Sequence, residues 1–439
     1  MERKYAGKKR ENALARMIHF DKQFMAKRYL SSSEIICIFI DMTYEGAAVT
    51  MWLSRLSAIM GKAIVAILQF LGLRNVIIIE LEQGKTENTE AVFLEMLQRG
   101  LNEKYRFAIV SQAPQLLAHW NSKRITVYKR PEYGEGLKAH LPLIIKKLRA
   151  VLIIEENYQI RKGMSEATQV FLSHGSPVKS THDFYNCRED TDFSLCQSEF
   201  WRPIESYQLK ISPEKLIIKG FPRNDELFSS QVSLTKLFGK EYKKSVVLYP
   251  TYRKHKTCGH GRGTESAALP IIHDEAAAKR INEIAAKYGV LLVVKPHPVQ
   301  DLSRIKALDL DHLKVITGDY LIERGITDHA FLAKTDAMIT DYSSIVFDYL
   351  LTGKPIALAQ EDYEEYEKKV GFAIDMNLLR SCSVKLETAE DFEPFFRDLV
   401  AGNDPLREKR DELMHLTNYY TDGNSTKRVV DWLETLLKK

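Results

Sequence analysis

Two Rossmann-like α/β halves facing a central cleft are the architecture predicted by this 439-residue sequence. Three observations carry that expectation. Short β-branched runs alternate with helical segments from Asn75 onward, a polar stretch divides the runs into two series, and chemically capable residues follow the ends of several runs. The first series is Val76 to Glu80, Phe107 to Val110, Ile125 to Val127, Val151 to Ile154, Gln169 to Leu172 and Leu216 to Lys219. The second is Val246 to Leu248, Leu291 to Val294, Lys314 to Ile316, Ala337 to Ile339 and Ile356 to Leu358, interleaved with helices such as Asp274 to Tyr288. Phe228 to Lys244 reads as a polar connector. The expected division is therefore 1–73, 74–235, 236–405 and a C-terminal helical segment, 406–439. Ligands of such halves sit beyond the carboxyl ends of the strands, so the cleft between them is the expected site.

A hydrophobic fraction of 45% with 28% charged residues describes a chain that buries a core, which argues against disorder. The net charge of +5 is modest but uneven: nine Lys or Arg lie between Met1 and Arg28 against Glu2, Glu11 and Asp21. That surplus suits an anionic surface, and nucleic acid is not an expected partner. Gly46 to Leu73 contains only two charges, Arg55 and Lys62, which with Gln69 form one narrow stripe on an otherwise apolar helix. This basic and apolar helical extension could lie in a membrane interface or pack in the core of the first half. A full span is disfavoured by its central charges. No cleavable secretory signal is evident. Cys37, Cys187, Cys196, Cys258 and Cys382 form no CxxC pair, which argues against a disulfide framework or a structural zinc site. His255, Cys258 and His260 match no standard zinc spacing, and Glu361 to Lys369 reads as a solvated helix face.

The strand ends carry the chemistry. After Ala337 to Ile339, the Thr340 to Ser344 turn brings Asp341 and two serines, Ser343 and Ser344, which are natural N-caps for a helix containing Ile345, Val346, Tyr349 and Leu350. Gly353 and Pro355 close that helix. A phosphate could dock on its N-terminal N–H groups and the serine hydroxyls; the alternative is a plain capped turn. After Gln169 to Leu172 comes SHGSPVK, in which His174 could remove a proton from an attacking hydroxyl, with Gly175 leaving room and Lys179 nearby. After Leu216 to Lys219 comes GFPRND, where Arg223 could meet phosphate or pair with Asp225. Val246 to Leu248 leads to Thr251 and Arg253, and Leu291 to Val294 leads to Lys295 and His297, candidates to neutralise a leaving phosphate. Their convergence points to a phosphate-handling cleft.

Six blocks, HGSPVK (His174 to Lys179), GFPRND (Gly220 to Asp225), YPTYR (Tyr249 to Arg253), KPHP (Lys295 to Pro298), TDYSSIVFDY (Thr340 to Tyr349) and DGNSTKRV (Asp422 to Val429), make the chain resemble the CDP-glycerol glycerophosphotransferases. The resemblance implies a GT-B-like fold with an acceptor half and a CDP-donor half, a CDP-glycerol or CDP-ribitol donor, CMP as product, and a lipid-linked or polymer acceptor in teichoic acid or related polymer synthesis. It also implies a peripheral enzyme at the cytoplasmic face of the bacterial cell membrane, with no metal or cofactor. The family's base maps onto His174, its donor-phosphate histidine onto His297, and its phosphate-binding serines onto Ser343 and Ser344. Ser176 stands where the family usually has threonine, and Val370 where it often has a basic residue. A GT-B transferase of CMP-activated sugar acids in capsule synthesis shares KPHP-like and paired-serine blocks. A membrane-bound binding protein without catalysis is the third reading.

Overall fold

The computed structural model describes residues 61–84, 87–131, 137–160, 162, 165–180, 188, 190–251, 269–297, 300 and 310–438. Runs such as VIIIE and VLLVV are apolar at almost every position, as expected of strands covered on both faces, and they form two wholly parallel sheets. The first contains β1 (Val76–Glu80), β2 (Arg106–Ser111), β3 (Ile125–Lys129), β4 (Ala150–Glu155), β5 (Thr168–Phe171), β6 (Phe193–Cys196) and β7 (Leu216–Ile218), ordered β3-β2-β1-β4-β5-β6-β7. The second contains β8 (Lys244–Tyr249), β9 (Val290–Val294), β10 (Leu313–Val315), β11 (Ala337–Thr340), β12 (Ile356–Ala359) and β13 (Val384–Leu386), ordered β10-β9-β8-β11-β12-β13. Each order reverses direction once, between β1 and β4 and between β8 and β11. Those switch points open crevices at the carboxyl ends.

Eleven strands lie where the alternation predicts. Strands β6 and β13 do not, because FSLC and VKL, at 4 and 3 residues, are too short to show a strand period. The connector after β7 is less polar in place than in sequence: Leu234, Leu237 and Phe238 pack against the core, and a short helix there is capped by Ser233. The charge run at Glu361 to Lys369 is likewise only partly solvated. Its helix buries Tyr366, whose ring stacks on Tyr342 at 3.9 Å.

Side chains from both halves share one core. Trp201, on α2 (Trp201–Leu209), packs edge-on against Phe347 at 4.9 Å, and its indole N–H donates to the Thr417 carbonyl at 3.1 Å. The last helix, Ser425–Leu437, crosses back to the first half, burying Val429, Val430 and Leu433 against α1 (Glu87–Gln98) and its neighbours. Arg99, just after α1, fixes that return by pairing with Asp431 at 2.6 Å and Glu434 at 3.1 Å. Shared burial of this kind sets how the two switch points face each other.

The basic leader and most of the apolar stretch up to residue 60 lie outside the described residues. Residues 61–70 are helical, and Ile67, Phe70, Leu71 and Leu73 at and after that helix are exposed, so this part is not a core helix. No helix among the described residues is long and apolar enough to cross a membrane.

Candidate active site

On the first half, the chain leaves β5 through an abrupt turn in which Ser173 takes φ 60° and Gly175 φ 139°. The turn is pinned from α1: Asn88 donates to the Ser173 carbonyl at 2.8 Å and accepts from the Arg223 N–H at 3.0 Å, so one buried amide ties the two loops together. Between them stands His174, open to solvent. A ring N–H of His174 donates to the Glu156 carbonyl, which selects the tautomer whose other nitrogen accepts a proton. Its pKa is pushed down by desolvation and by the charges of Arg223, Arg188 and Lys179, against the pull of that hydrogen bond. Because solvent reaches the ring, the neighbouring charges are the more durable part of the shift. The imidazole is neutral at neutral pH, the form a base requires.

On the second half, Asp341 bridges the switch point. Its buried carboxylate accepts from the Thr251 backbone N–H at 2.9 and 3.1 Å and from the Thr251 hydroxyl at 3.0 Å, joining the ends of β8 and β11. Asp341 and Thr251 are thereby committed to each other as a structural tie. The next turn enters a short helix, α3 (Ile345–Tyr349), buried on every side. Ser344 stands at its N-cap but makes no side-chain capping bond, contrary to expectation. Its φ of −64° and ψ of −18° are already helical, whereas a capping hydroxyl needs an extended backbone to reach back. The carbonyls of Ser343 and Ser344 instead start the helix by accepting from Val346 and Phe347.

The two sides meet. A methyl group added at Gly175 would lie 2.9 Å from the Ser344 hydroxyl and 3.2 Å from an Arg223 nitrogen, so the His174–Gly175 turn and the serine turn are nearly in contact. Arg223 donates to the His174 carbonyl at 2.9 Å and to Asp348 at 2.7 Å. Asp348 also accepts from Gln197 at 3.0 Å and Asn224 at 3.3 Å, and Gln197 in turn accepts from Ser176 at 2.6 Å. Further along, the Val178 carbonyl accepts from Ala373 and the Ser180 N–H donates to the Gly371 carbonyl, placing Lys179 in an antiparallel bridge with Phe372. That backbone clasp joins the halves beside Val370.

The remaining candidates divide. Lys295 is buried, with its ammonium on Asp328 at 2.9 Å and on the Tyr249 hydroxyl at 3.1 Å; burial would lower its pKa, but these partners raise it overall. It braces the end of β9, and His297 follows it at the exposed end of the turn. Asp225 faces away from the cleft, accepting from the Ser425 and Thr426 N–H groups at 2.8 Å each and capping the last helix. Arg223 does not pair with it. Arg253, His255, Cys258 and His260 lie outside the described residues. Sequence reasoning passed over Asp348, Gln197 and Asn224. Asp348 had a visible signal, since a lone carboxylate within the apolar run of α3 must find a buried partner.

The profile of the CDP-Glycerol:Poly(glycerophosphate) glycerophosphotransferase family matches residues 73–435. The chain belongs to that family. Among curated relatives, the teichoic acid glycerol-phosphate primase of Bacillus subtilis (strain 168) is 24% identical over 65% of this chain and 74% of its own length. The teichoic acid ribitol-phosphate primase of Bacillus spizizenii is 23% identical over 56% of this chain and 60% of its own. The ribitol-phosphate polymerase TarL of Staphylococcus aureus is 25% identical over 78% and 59%. The fold is similar to that of the wall teichoic acid polymerase TagF, with a TM-score of 0.62 at 14% identity over 90% of this chain and 99% of that one. A UDP-GlcNAc 2-epimerase from Neisseria meningitidis aligns with a TM-score of 0.50 at 14% identity over 83% of this chain and 100% of its own. The GT-B-like fold therefore does not specify the chemistry, whereas family membership makes this protein a transferase of the CDP-glycerol class.

Proposed function

We propose that the protein transfers glycerol phosphate from CDP-glycerol to a hydroxyl of a membrane-linked acceptor and releases CMP. The observation that carries this reading is the near contact of the His174–Gly175 turn with Ser344, which sets a neutral histidine against a hydroxyl-bearing turn across the interdomain cleft. In the reaction the acceptor oxygen attacks the phosphorus bearing glycerol as His174 takes its proton. The bond from that phosphorus to the bridging oxygen breaks, and the electron pair leaves on CMP. Ser343 and Ser344, together with His297 and Arg253, hold the diphosphate and balance its growing charge, while Asp341 acts through Thr251 by fixing the turn beneath it. Lys295 acts indirectly, by bracing the turn that carries His297.

The exposed Ile67, Phe70, Leu71 and Leu73 support docking on an anionic membrane at its cytoplasmic face. A helix at Leu137–Arg149 adds exposed Leu141 and Ile145 and a last turn with Lys146, Lys147 and Arg149. Arg149 donates to the Leu73 carbonyl at 3.0 Å, joining the two segments into one basic and apolar surface. The test is CMP release from CDP-glycerol, CDP-ribitol and CMP-sialic acid with membrane extract as acceptor, comparing the intact protein with His174→Ala. Histidine-dependent release from CDP-glycerol is expected; release only from the sialic acid donor would move the protein to the sugar transferases.

A further inference from the structure

Behind the cleft, four ionisable side chains alternate in sign along one buried line. Glu87, in the first turn of α1, accepts from His329 at 2.7 Å; the other His329 nitrogen lies 3.1 Å from Asp348; Asp348 pairs with Arg223 at 2.7 Å; and Arg223 donates to the His174 carbonyl. Side-chain exposure is 16% for Glu87, 2% for His329, 2% for Asp348 and 10% for Arg223, so none of these charges is tolerable without its neighbours. The line also branches. Glu87 accepts from the Asp328 N–H at 3.0 Å, and the Asp328 carboxylate holds Lys295, the brace of the turn carrying His297. Adjacent residues Asp328 and His329 thus connect the donor side to the base.

We infer that His329 is a positioning residue for the reaction: clamped between Glu87 of the first half and Asp348 of the second, it orients Arg223 and thereby holds the His174 turn against Ser344. The inference rests on the assignment of His174 as base. Its physical content is geometric. Asp348 shares one carboxylate oxygen, Oδ2, between His329 and Arg223, while Oδ1 receives Gln197 and Asn224. Loss of the imidazole leaves Oδ2 with Arg223 alone, and the guanidinium then shifts off the His174 carbonyl. Glu87 loses its imidazole partner in the same step and keeps the hydrogen bond from the Asp328 N–H.

The experiment uses the full chain with His329→Gln, Glu87→Gln, Arg223→Gln and the double variant His329→Gln/Arg223→Gln, all first shown by thermal melting to be folded. In CMP release from CDP-glycerol, His329→Gln and Glu87→Gln are expected to lower kcat about 10-fold or more with KM changed less than about 2-fold, as displacement of a catalytic group does. The double variant is expected to lose no more than Arg223→Gln alone, because both act along one path. Multiplying losses, or an unchanged kcat in His329→Gln, would overturn the inference. NMR titration of His174 supplies a readout that needs no substrate. Its pKa should rise in Arg223→Gln, where a nearby positive charge is gone, and rise in the same direction in His329→Gln, where that charge has moved. Arg188 and Lys179 remain beside His174 in every variant, and Glu156 still receives its ring N–H, so they serve as a constant background. An unmoved His174 in His329→Gln would defeat the inference, whereas a wild-type protein that releases no CMP would defeat only the glycerol-phosphate reading.

Discussion

Both switch points are bridged by a buried carboxylate, yet the two carboxylates build different surroundings. In the first half Glu80 accepts from the N–H groups of Glu156, Asn157 and Tyr158, and around it gather Glu155, Glu156 and Arg188, with Arg223 and His174 adjoining Glu156. In the second half Asp341 accepts from Thr251, and the residues that follow are Tyr342, Ser343 and Ser344. One side concentrates titratable groups whose proton affinities shift against each other: burial raises Glu156 to about 8 while His174 is lowered. The other presents hydroxyls at its turn, while its titratable side chains, Lys295, Asp328, His329 and Asp348, are tied up in ion pairs. On the proposed mechanism this difference becomes a division of labour, with proton transfer assigned to the first half and anion holding to the second.

The largest expected effect comes from His174→Ala, which should reduce CMP release by about 10²- to 10⁴-fold, the usual contribution of a general base. A loss as large from Ser344→Ala would erase the contrast between the halves. Gly175→Ala should come next. The new methyl would meet Ser344 and Arg223, and a φ of 139° is outside what alanine accepts, so kcat should fall about 10²-fold through misplacement of His174. Unchanged turnover would mean that the turns are further apart than the near contact implies.

Lys295→Met tests the second half's frame. Breaking its buried pair with Asp328 should cost about 3 kcal/mol, read as a lowered denaturant midpoint. A smaller effect separates the halves by pH. Burial alone would lower the His329 pKa, but Glu87 and Asp348 raise it to about 9, with Arg223 opposing. A raised folded-state pKa adds stability that is complete below the unfolded value near 6.5 and is lost as pH rises through about 9. Glu226, which accepts from Thr327, and Lys295 on Asp328 are charged groups on the residues just before His329, and neither is removed by His329→Gln. The wild type should therefore lose stability between those two pH values in urea unfolding, and His329→Gln should flatten that decline. Thr251→Val should have the smallest effect, about 1 kcal/mol, because the backbone bond to Asp341 survives.

Eleven of the strands, the two-sheet plan and the loop identities of His174, Arg223, Thr251, Lys295, His297, Asp341, Ser343 and Ser344 were legible in the chain, because apolar runs and strand-end punctuation are local signals. Long-range partners were not. Asp225 reads like a cleft residue beside Arg223, but it caps a helix 200 residues further on. Lys295 reads like a free phosphate ligand, but Asp328 lies against it in space. His329 carries no pattern in sequence at all, and it acquires its charge and its partners only when α1 of one half meets α3 of the other. Local propensity and periodicity determine which segments become strands and which residues end them, since those depend on near neighbours. Only the packing of the two halves around Trp201 and Phe347 decides which charges become buried together, because desolvation and pairing are properties of the assembled interior.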